Sequence, residues 1–381
     1  RFFWPAFSPV LLNLAMIGTI LLGAGALEQR GIHPAWVLPI GVVLGGVLQF
    51  VSQLIPLRRI DRLTRPRLER HPEVAKVARL LGPSVIGLGI YQIDILLSRL
   101  FASLLPEGAV TYLYYAMRLV ELPQAVFIMA IAAAALPDLS TARAHDDPEE
   151  MKRTWRSALS MSSFVIAPSL AVLTVLAVPV VAVLLQRGRF DYAMTGNTAA
   201  ALAWVALGMP GVAGVRNTSP FFYALQDTRT PVKISAVTLV AYVGLCLALM
   251  WPFGHVGIAA AIGAGGTLQF LLQLVLLRRK VGPLGLRAIV GQSFRHLGAA
   301  LVAAAAAWGV AGLGRWEDGS TWANAGILAV AILAAGGAYL GAALALGAPD
   351  AQALLAGLGR RLAGARGNRT STGDDPPDQG G

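Results

Sequence analysis

Charge is the first thing this sequence is short of. Asp, Glu, Lys and Arg make up 13% of its 381 residues, where a soluble domain carries about 25%. With 56% hydrophobic residues and a mean hydropathy of +0.63, that deficit excludes an ordinary soluble domain. The chain divides instead into membrane spans, each needing about 20 apolar residues. Cysteine is nearly absent: Cys246 stands alone in an apolar run, which excludes a disulfide framework. No cleavable signal peptide, Walker motif, zinc motif or serine–histidine–acid pattern is visible. The chain opens on Arg1 rather than Met, with an apolar stretch almost immediately after it, so a fragment is expected. The net charge of +11 sits in short tracts between apolar runs, and no nucleic-acid partner is expected.

What is present is a series of apolar runs, at about 4–25, 34–56, 81–105, 109–136, 157–185, 195–225, 234–252, 256–277, 288–314 and 324–347. In lipid each must be helical, because a helix satisfies its own backbone polar groups. The fold class expected is therefore an all-α, polytopic integral membrane protein of about ten transmembrane helices. Basic residues set its orientation. Twenty-two of them fall in the loops 57–80, 137–156 and 226–233, around 278–287, and in the tail. The opposite connections hold only Arg30, Arg187, Arg189 and Arg315. Both ends of the chain are thus expected in the cytoplasm. The basic loops orient the protein, with contact to anionic membrane lipids a lesser role.

The sequence also repeats itself. Residues 45–59, GGVLQFVSQLIPLRR, match residues 265–279, GGTLQFLLQLVLLRR, at ten of fifteen positions. Both copies run toward the same side and end in an Arg pair, as parallel repeats of transporter halves do. Each carries a Gln pair, Gln49/Gln53 and Gln269/Gln273, although a polar side chain within a span is costly. The spacing implies a repeat of six spans, of which the first copy shows only its last two.

Charges inside spans are functional candidates by default. Arg118 and Glu121 lie three apart on the fourth span, on one helical face, and Pro123 allows a bend just beyond them. The third span carries Asp94 and Arg99, and the sixth carries Arg216 and Asn217, with Gly211, Gly214 and Pro220 expected to loosen the helix. Together these helices are expected to line a shared polar cavity. The run His145–Glu150 resembles a metal cluster, but Asp147-Pro148-Glu149-Glu150 reads better as a helix start. Glycines such as Gly263, Gly265 and Gly266 lack a preceding strand and are read as helix-packing residues. Residues 350–366 read as a short interfacial helix and the remaining tail as disordered.

Several stretches carry a family resemblance: RFFWPAFSPVLLNLAMIG, LLGPSVIG, QIDILLSRLFASLL, YLYYAMRLVELPQAV, VLLQRGRF and FFYALQDTRTPVKI. In order and spacing, from residue 1 to about 350, the chain resembles the MurJ/MviN lipid II flippases of the multidrug, oligosaccharidyl-lipid and polysaccharide exporter superfamily. The resemblance implies fourteen spans: two six-helix lobes and two added helices that form a groove for a lipid tail. On that template residues 1–80 hold the last two spans of the first lobe and the basic loop. Residues 81–287 are the second lobe, 288–347 the added helices, and 348–381 a cytoplasmic tail.

The function implied is translocation of lipid II, an undecaprenyl-linked disaccharide-pentapeptide, across the bacterial inner membrane by alternating access. Arg118 and Glu121 match the family's cavity arginine and its acid, although Met117 replaces the usual acid before the arginine. The candidate substrate-binding residues are Arg118, Glu121, Arg216, Arg99 and Asp94. Ser98 stands where relatives often carry Asn or Asp, and no sodium site is supported. No cofactor is expected; the candidate motive force is membrane potential or an ion gradient, worth about 2.3 kcal/mol per charge per 100 mV. The chain is not expected to be an enzyme, and cell-wall synthesis machinery is a candidate partner. The competing readings are export of another polyprenyl-linked glycan or a drug, a polyprenyl-phosphate enzyme, and a non-transporting scaffold of the cell-wall machinery.

Overall fold

A computed structural model describes residues 3–59, 89 and 92–356, and every regular element among these is helical. The chain divides into two compact units, Arg1–Ala75 and Lys76–Gly381. Three features read from the sequence lie outside the described residues: most of the basic loop 57–80, the start of the third span, and the tail beyond residue 356.

The first unit is a helical hairpin of α1 (Phe3–Glu28) and α2 (Val37–Arg59). It closes so tightly that a Cβ at Gly45 would fall 2.9 Å from the Leu12 Cα. Small residues four apart, here Gly41 and Gly45, permit that backbone approach in lipid. The two glutamines of the repeat span the hairpin: Gln49 donates to the Ser8 carbonyl at 3.1 Å, and Gln53 to the Ser8 hydroxyl at 3.3 Å.

The second unit begins with α3 (92–103). A span of two helices follows, α4 (Ala109–Pro123) and α5 (Met129–Ala144), joined by a π-helical turn at Gln124–Ile128. Pro123 supplies no N–H, and the widened turn behind it accommodates the break. Next comes α6 (Pro148–Val175), running almost without interruption into α7 (Ala177–Leu185). It starts nine residues before the expected span. Asp147 caps it by accepting the Glu149 and Glu150 N–H groups at 3.1 and 2.9 Å, which makes the acidic run His145–Glu150 a helix start.

Helices α8 (Tyr192–Leu207) and α9 (Met209–Ala224) meet at a bend of 42°. The break is at Gly208, rather than at Gly211, Gly214 or Pro220. Those two glycines serve packing: a Cβ at Gly211 would lie 2.6 Å from the Thr267 backbone, and one at Gly214 would lie 2.5 Å from the Phe270 ring.

Helix α10 (Arg229–Val281) is 53 residues long, about 80 Å if straight, far more than one bilayer crossing. It is two arms folded back at Gly254, whose φ of 58° and ψ of −138° leave the helical region. The fold-back sets Gly257 against Leu249 and Gly265 against Tyr242. Gln269 then donates to Ser235 across the hairpin at 3.0 Å, and Gln273 to Ser219 of α9 at 3.1 Å. Each copy of the repeat thus closes its hairpin with a glutamine donating to a serine of the opposing arm, Ser8 in one and Ser235 in the other.

Helices α11 (Leu286–Ala311) and α12 (Trp322–Ala345) form a last hairpin. It packs on α6 through small residues, among them Ala299, Ala303, Ala307, Ala331 and Ala335. A short helix at 349–356 follows. Among the described residues, seven helices are long and apolar enough to cross a membrane, eight if the bent α8–α9 pair is one span. Counting the arms of α10 separately makes nine of the ten expected spans, the tenth being that of α3. Trp251, Trp308 and Trp322 stand exposed at the turns opposite the Arg278–Lys280 end, as aromatic residues do at a membrane interface.

Candidate functional site

The site is built on the outer face of α4. Tyr114, Arg118 and Glu121 sit at i, i+4 and i+7 and so share one helical face. The Arg118 guanidinium bonds the Glu121 carboxylate at 2.6 Å. Its Cζ stands 5.3 Å from the Tyr114 ring centroid, within range for attraction between a cation and a ring face. Both charged side chains remain open, 57% exposed for Arg118 and 42% for Glu121. The pair lies within one helix.

Across from this face stands α3. Ser98, Arg99, Tyr114, Met117, Arg118 and Glu121 line one small pocket of about 60 Å³ between the two helices. The structure therefore brings together three of the residues singled out from the sequence, Arg99, Arg118 and Glu121. Tyr114 was not among them; its position one turn before Arg118 was the available signal. Met117 sits in the same lining.

Two candidates lie elsewhere, so the single shared polar cavity is not what the structure presents. Asp94 is half-buried on α3 and lines no part of the pocket. Its surroundings are Tyr242 and Cys246 of α10, one turn apart. Arg216 is half-buried on α9 and lines neither this pocket nor the larger one described next. Its neighbour Asn217 is buried, donating to the Ser162 hydroxyl and the Ala213 carbonyl, both at 2.8 Å.

A second, mainly apolar cavity of about 550 Å³ lies among α6, α9, α10 and α11. Ile166, Leu170, Phe270, Ile289, Phe294 and Leu297 supply much of its surface. Of the two helices expected to form a lipid-tail groove, only α11 contributes to this lining.

The ALQDTRTPVKI motif proves to be a clamp at the base of the α10 hairpin. Asp227 accepts the Thr230 N–H at 3.0 Å and the Thr230 hydroxyl at 2.6 Å. It also binds the Lys280 ammonium at 2.6 Å, joining the start of one arm to the end of the other. Burial pushes the Asp227 carboxyl up, but Lys280 and Thr230 together outweigh it and hold it down at about 2.

Comparison with known proteins agrees with this architecture. Residues 1–325 match the family described as lipid II flippase MurJ. The lipid II flippase MurJ of Burkholderia cenocepacia is 34% identical over 281 residues, covering 72% of this chain and 54% of the relative. A probable lipid II flippase MurJ from Haemophilus influenzae is 34% identical over 276 residues, covering 70% and 53%. The chain thus spans about half the length of the curated relatives it matches. Among solved structures, a lipid II flippase MurJ in an inward closed conformation superposes with a TM-score of 0.69 at 21% identity, covering 90% of this chain and 67% of that one. A MOP superfamily transporter from Pyrococcus furiosus gives 0.52 at 17% identity, covering 68% and 59%. These two likenesses concern the fold. With a family match over most of its length and the same succession of apolar helices, this chain belongs to the MurJ lipid II flippase family.

Proposed function

We propose that the protein takes part in moving lipid II, a lipid-linked peptidoglycan precursor, across the bacterial cytoplasmic membrane by alternating access. The observation that carries this reading is Arg118, a permanently charged side chain kept half-exposed within a span by Glu121 and Tyr114. An unpaired cation there would be costly, and the Glu121 carboxylate offsets that cost while no substrate is bound. A pyrophosphate presents the same anionic oxygens in greater number. It suits the planar guanidinium fork and would take the place of Glu121. Arg99, on the same pocket, supplies a second positive charge. Arg216 and Asp94 act outside that pocket, as further polar steps along the path. The apolar cavity bounded by α6 and α11 would receive the polyprenyl tail.

In this reading residues 1–80 complete a first lobe, 81–287 form the second, and 288–347 are the added pair of helices. The basic connections and both ends of the chain face the cytoplasm. Membrane lipids surround the spans, and cell-wall synthesis enzymes receive the product. Membrane potential or an ion gradient drives the cycle. The test is translocation by the full-length protein in proteoliposomes, comparing lipid II with a polyprenyl-linked O-antigen precursor. Transport of lipid II alone is the expected result. Equal transport of both would replace this reading with a general glycolipid exporter, and transport of neither would leave a scaffold.

A further inference from the structure

The wall of the apolar cavity contains a polar chain that the transport site does not use. Asp350, just beyond α12, accepts the Ser160 hydroxyl of α6 at 2.6 Å. The same oxygen lies 3.3 Å from Nε2 of His296 on α11. The other nitrogen of that ring, Nδ1, is 3.3 Å from the Ser163 hydroxyl on α6, and Ser163 lies 3.5 Å from Ser293 on α11. His296 is fully buried, and Ser163 and Ser293 line the cavity itself. One residue along α11, Arg295 donates to the Gly347 carbonyl at 3.2 Å, a second tie between α11 and the same short segment.

A serine, a histidine and an aspartate in series invite a comparison with nucleophilic catalysis, but the geometry is unsuitable. Ser163 lies in the middle of α6, where backbone N–H groups are committed to the helix and none is free to stabilise an oxyanion. The series instead joins three separate elements. Ser160 and Ser163 are one turn apart on α6, Ser293 and His296 one turn apart on α11, and Asp350 reaches both helices from the last connection. Phe164 stacks edge-on against His296 with centroids 5.5 Å apart, and its carbonyl accepts the Tyr339 hydroxyl of α12 at 2.7 Å. The cluster is thus locked on its third side as well.

We propose that Asp350 and His296 are positioning residues forming a clasp that holds α11 against α6 and so sets the width of the apolar cavity between them. The ion-and-hydroxyl chain is the specific polar link across a contact otherwise made by alanines and apolar side chains, so making or breaking it selects between a narrow and a wide cavity. Removing Asp350 takes the acceptor from the Ser160 hydroxyl and the facing carboxylate from the buried His296 Nε2, 3.3 Å away, which favours separation of the helices over an unpaired contact. The clasp rests on this geometry alone and holds whether or not a polyprenyl chain is the occupant of the cavity.

The test is a pulsed electron–electron distance measurement on the purified protein in lipid nanodiscs. Spin labels go at Arg153→Cys on α6 and Arg287→Cys on α11, in a Cys246→Ala background. Asp350→Ala and His296→Ala are each expected to move the α6–α11 distribution to longer, broader distances. A control pair at Arg153→Cys and Tyr223→Cys, reporting α6 against the end of α9, should not move. Asp350→Asn, which preserves shape, covers the case of a variant that fails to purify, and it should shift the distribution in the same direction. An α6–α11 distribution unchanged in the variants that purify would overturn the proposal, as would an equal shift in the control pair.

Discussion

The packing of α9 against the returning arm of α10 gives a quantitative prediction. Gly211 lies on a helix with an ordinary right-handed backbone, so alanine there meets no conformational penalty. The obstacle is space: the added methyl would lie 2.6 Å from both the N and Cα of Thr267 and 2.8 Å from its hydroxyl. Carbon contacts are favourable at about 3.5–4.0 Å, so the helices must part by roughly 1 Å along this seam. Neither backbone can give locally, because the Gly214–Phe270 contact follows one turn later. Overpacking of this kind costs about 1–3 kcal/mol. Gly211→Ala should therefore lower the thermal midpoint in detergent, followed by fluorescence-detected size exclusion. The matched control is Gly196→Ala, a helical glycine of α8 with nothing within 4 Å of the new methyl. There the helix gains up to about 1 kcal/mol from alanine's better propensity. If Gly211→Ala proved as stable as Gly196→Ala, the close α9–α10 seam would be refuted.

Other predictions concern single interactions. Asp227→Asn should destabilise the α10 hairpin by about 1–3 kcal/mol, since it removes the charge and one of the two acceptor oxygens that hold Thr230 and Lys280, while Lys280→Arg should be close to neutral. The Asp227 carboxyl is held at about 2, below its ordinary 3.9. Its contribution is therefore fully present above about pH 4 and is lost as pH falls through 2. A pH series of thermal midpoints should show the parent's advantage over Asp227→Asn flat from pH 7 to about pH 4 and vanishing below. Asp147→Ala should cost α6 about 0.5–2 kcal/mol as a lost cap, and added divalent metal should not change the parent's midpoint; metal-dependent stabilisation would revive the metal reading of His145–Glu150. Ser235→Ala should cost about 0.6–1.7 kcal/mol through the lost Gln269 bond, and a larger loss would mean that the serine does more than close the hairpin.

The spans were legible because membrane burial leaves a long-period signal that needs no partner: about 20 apolar residues in succession. The seam between the arms of α10 was legible for the same reason, as the break between the apolar runs 234–252 and 256–277. The repeat was legible as letters, but its purpose was not. That the glutamines find Ser8 and Ser235 depends on how far each hairpin folds back, which only three-dimensional register decides. At the site, Arg118 and Glu121 could be paired from their spacing on one helix. Placing Arg99 with them and Asp94 apart depends on the rotation of α3, which a single sequence does not encode locally. Gly211 and Gly214 were read as loosening a helix because glycine signals both freedom and close approach, and the neighbouring backbone chooses between them. The Ser160–His296–Asp350 cluster was invisible, since its members lie on three elements up to 190 residues apart.

The most direct test of the central claim separates the charge of Arg118 from the fold. The measurement is lipid II translocation by the full-length protein in proteoliposomes, comparing the parent with Arg118→Ala, Arg118→Lys and Glu121→Gln, all checked for equal thermal midpoints. The account predicts that Arg118→Ala abolishes translocation and that Arg118→Lys retains a reduced rate, since it keeps the charge but loses the fork. Glu121→Gln should impair transport less than Arg118→Ala does. Translocation by Arg118→Ala at the parent's rate would contradict it.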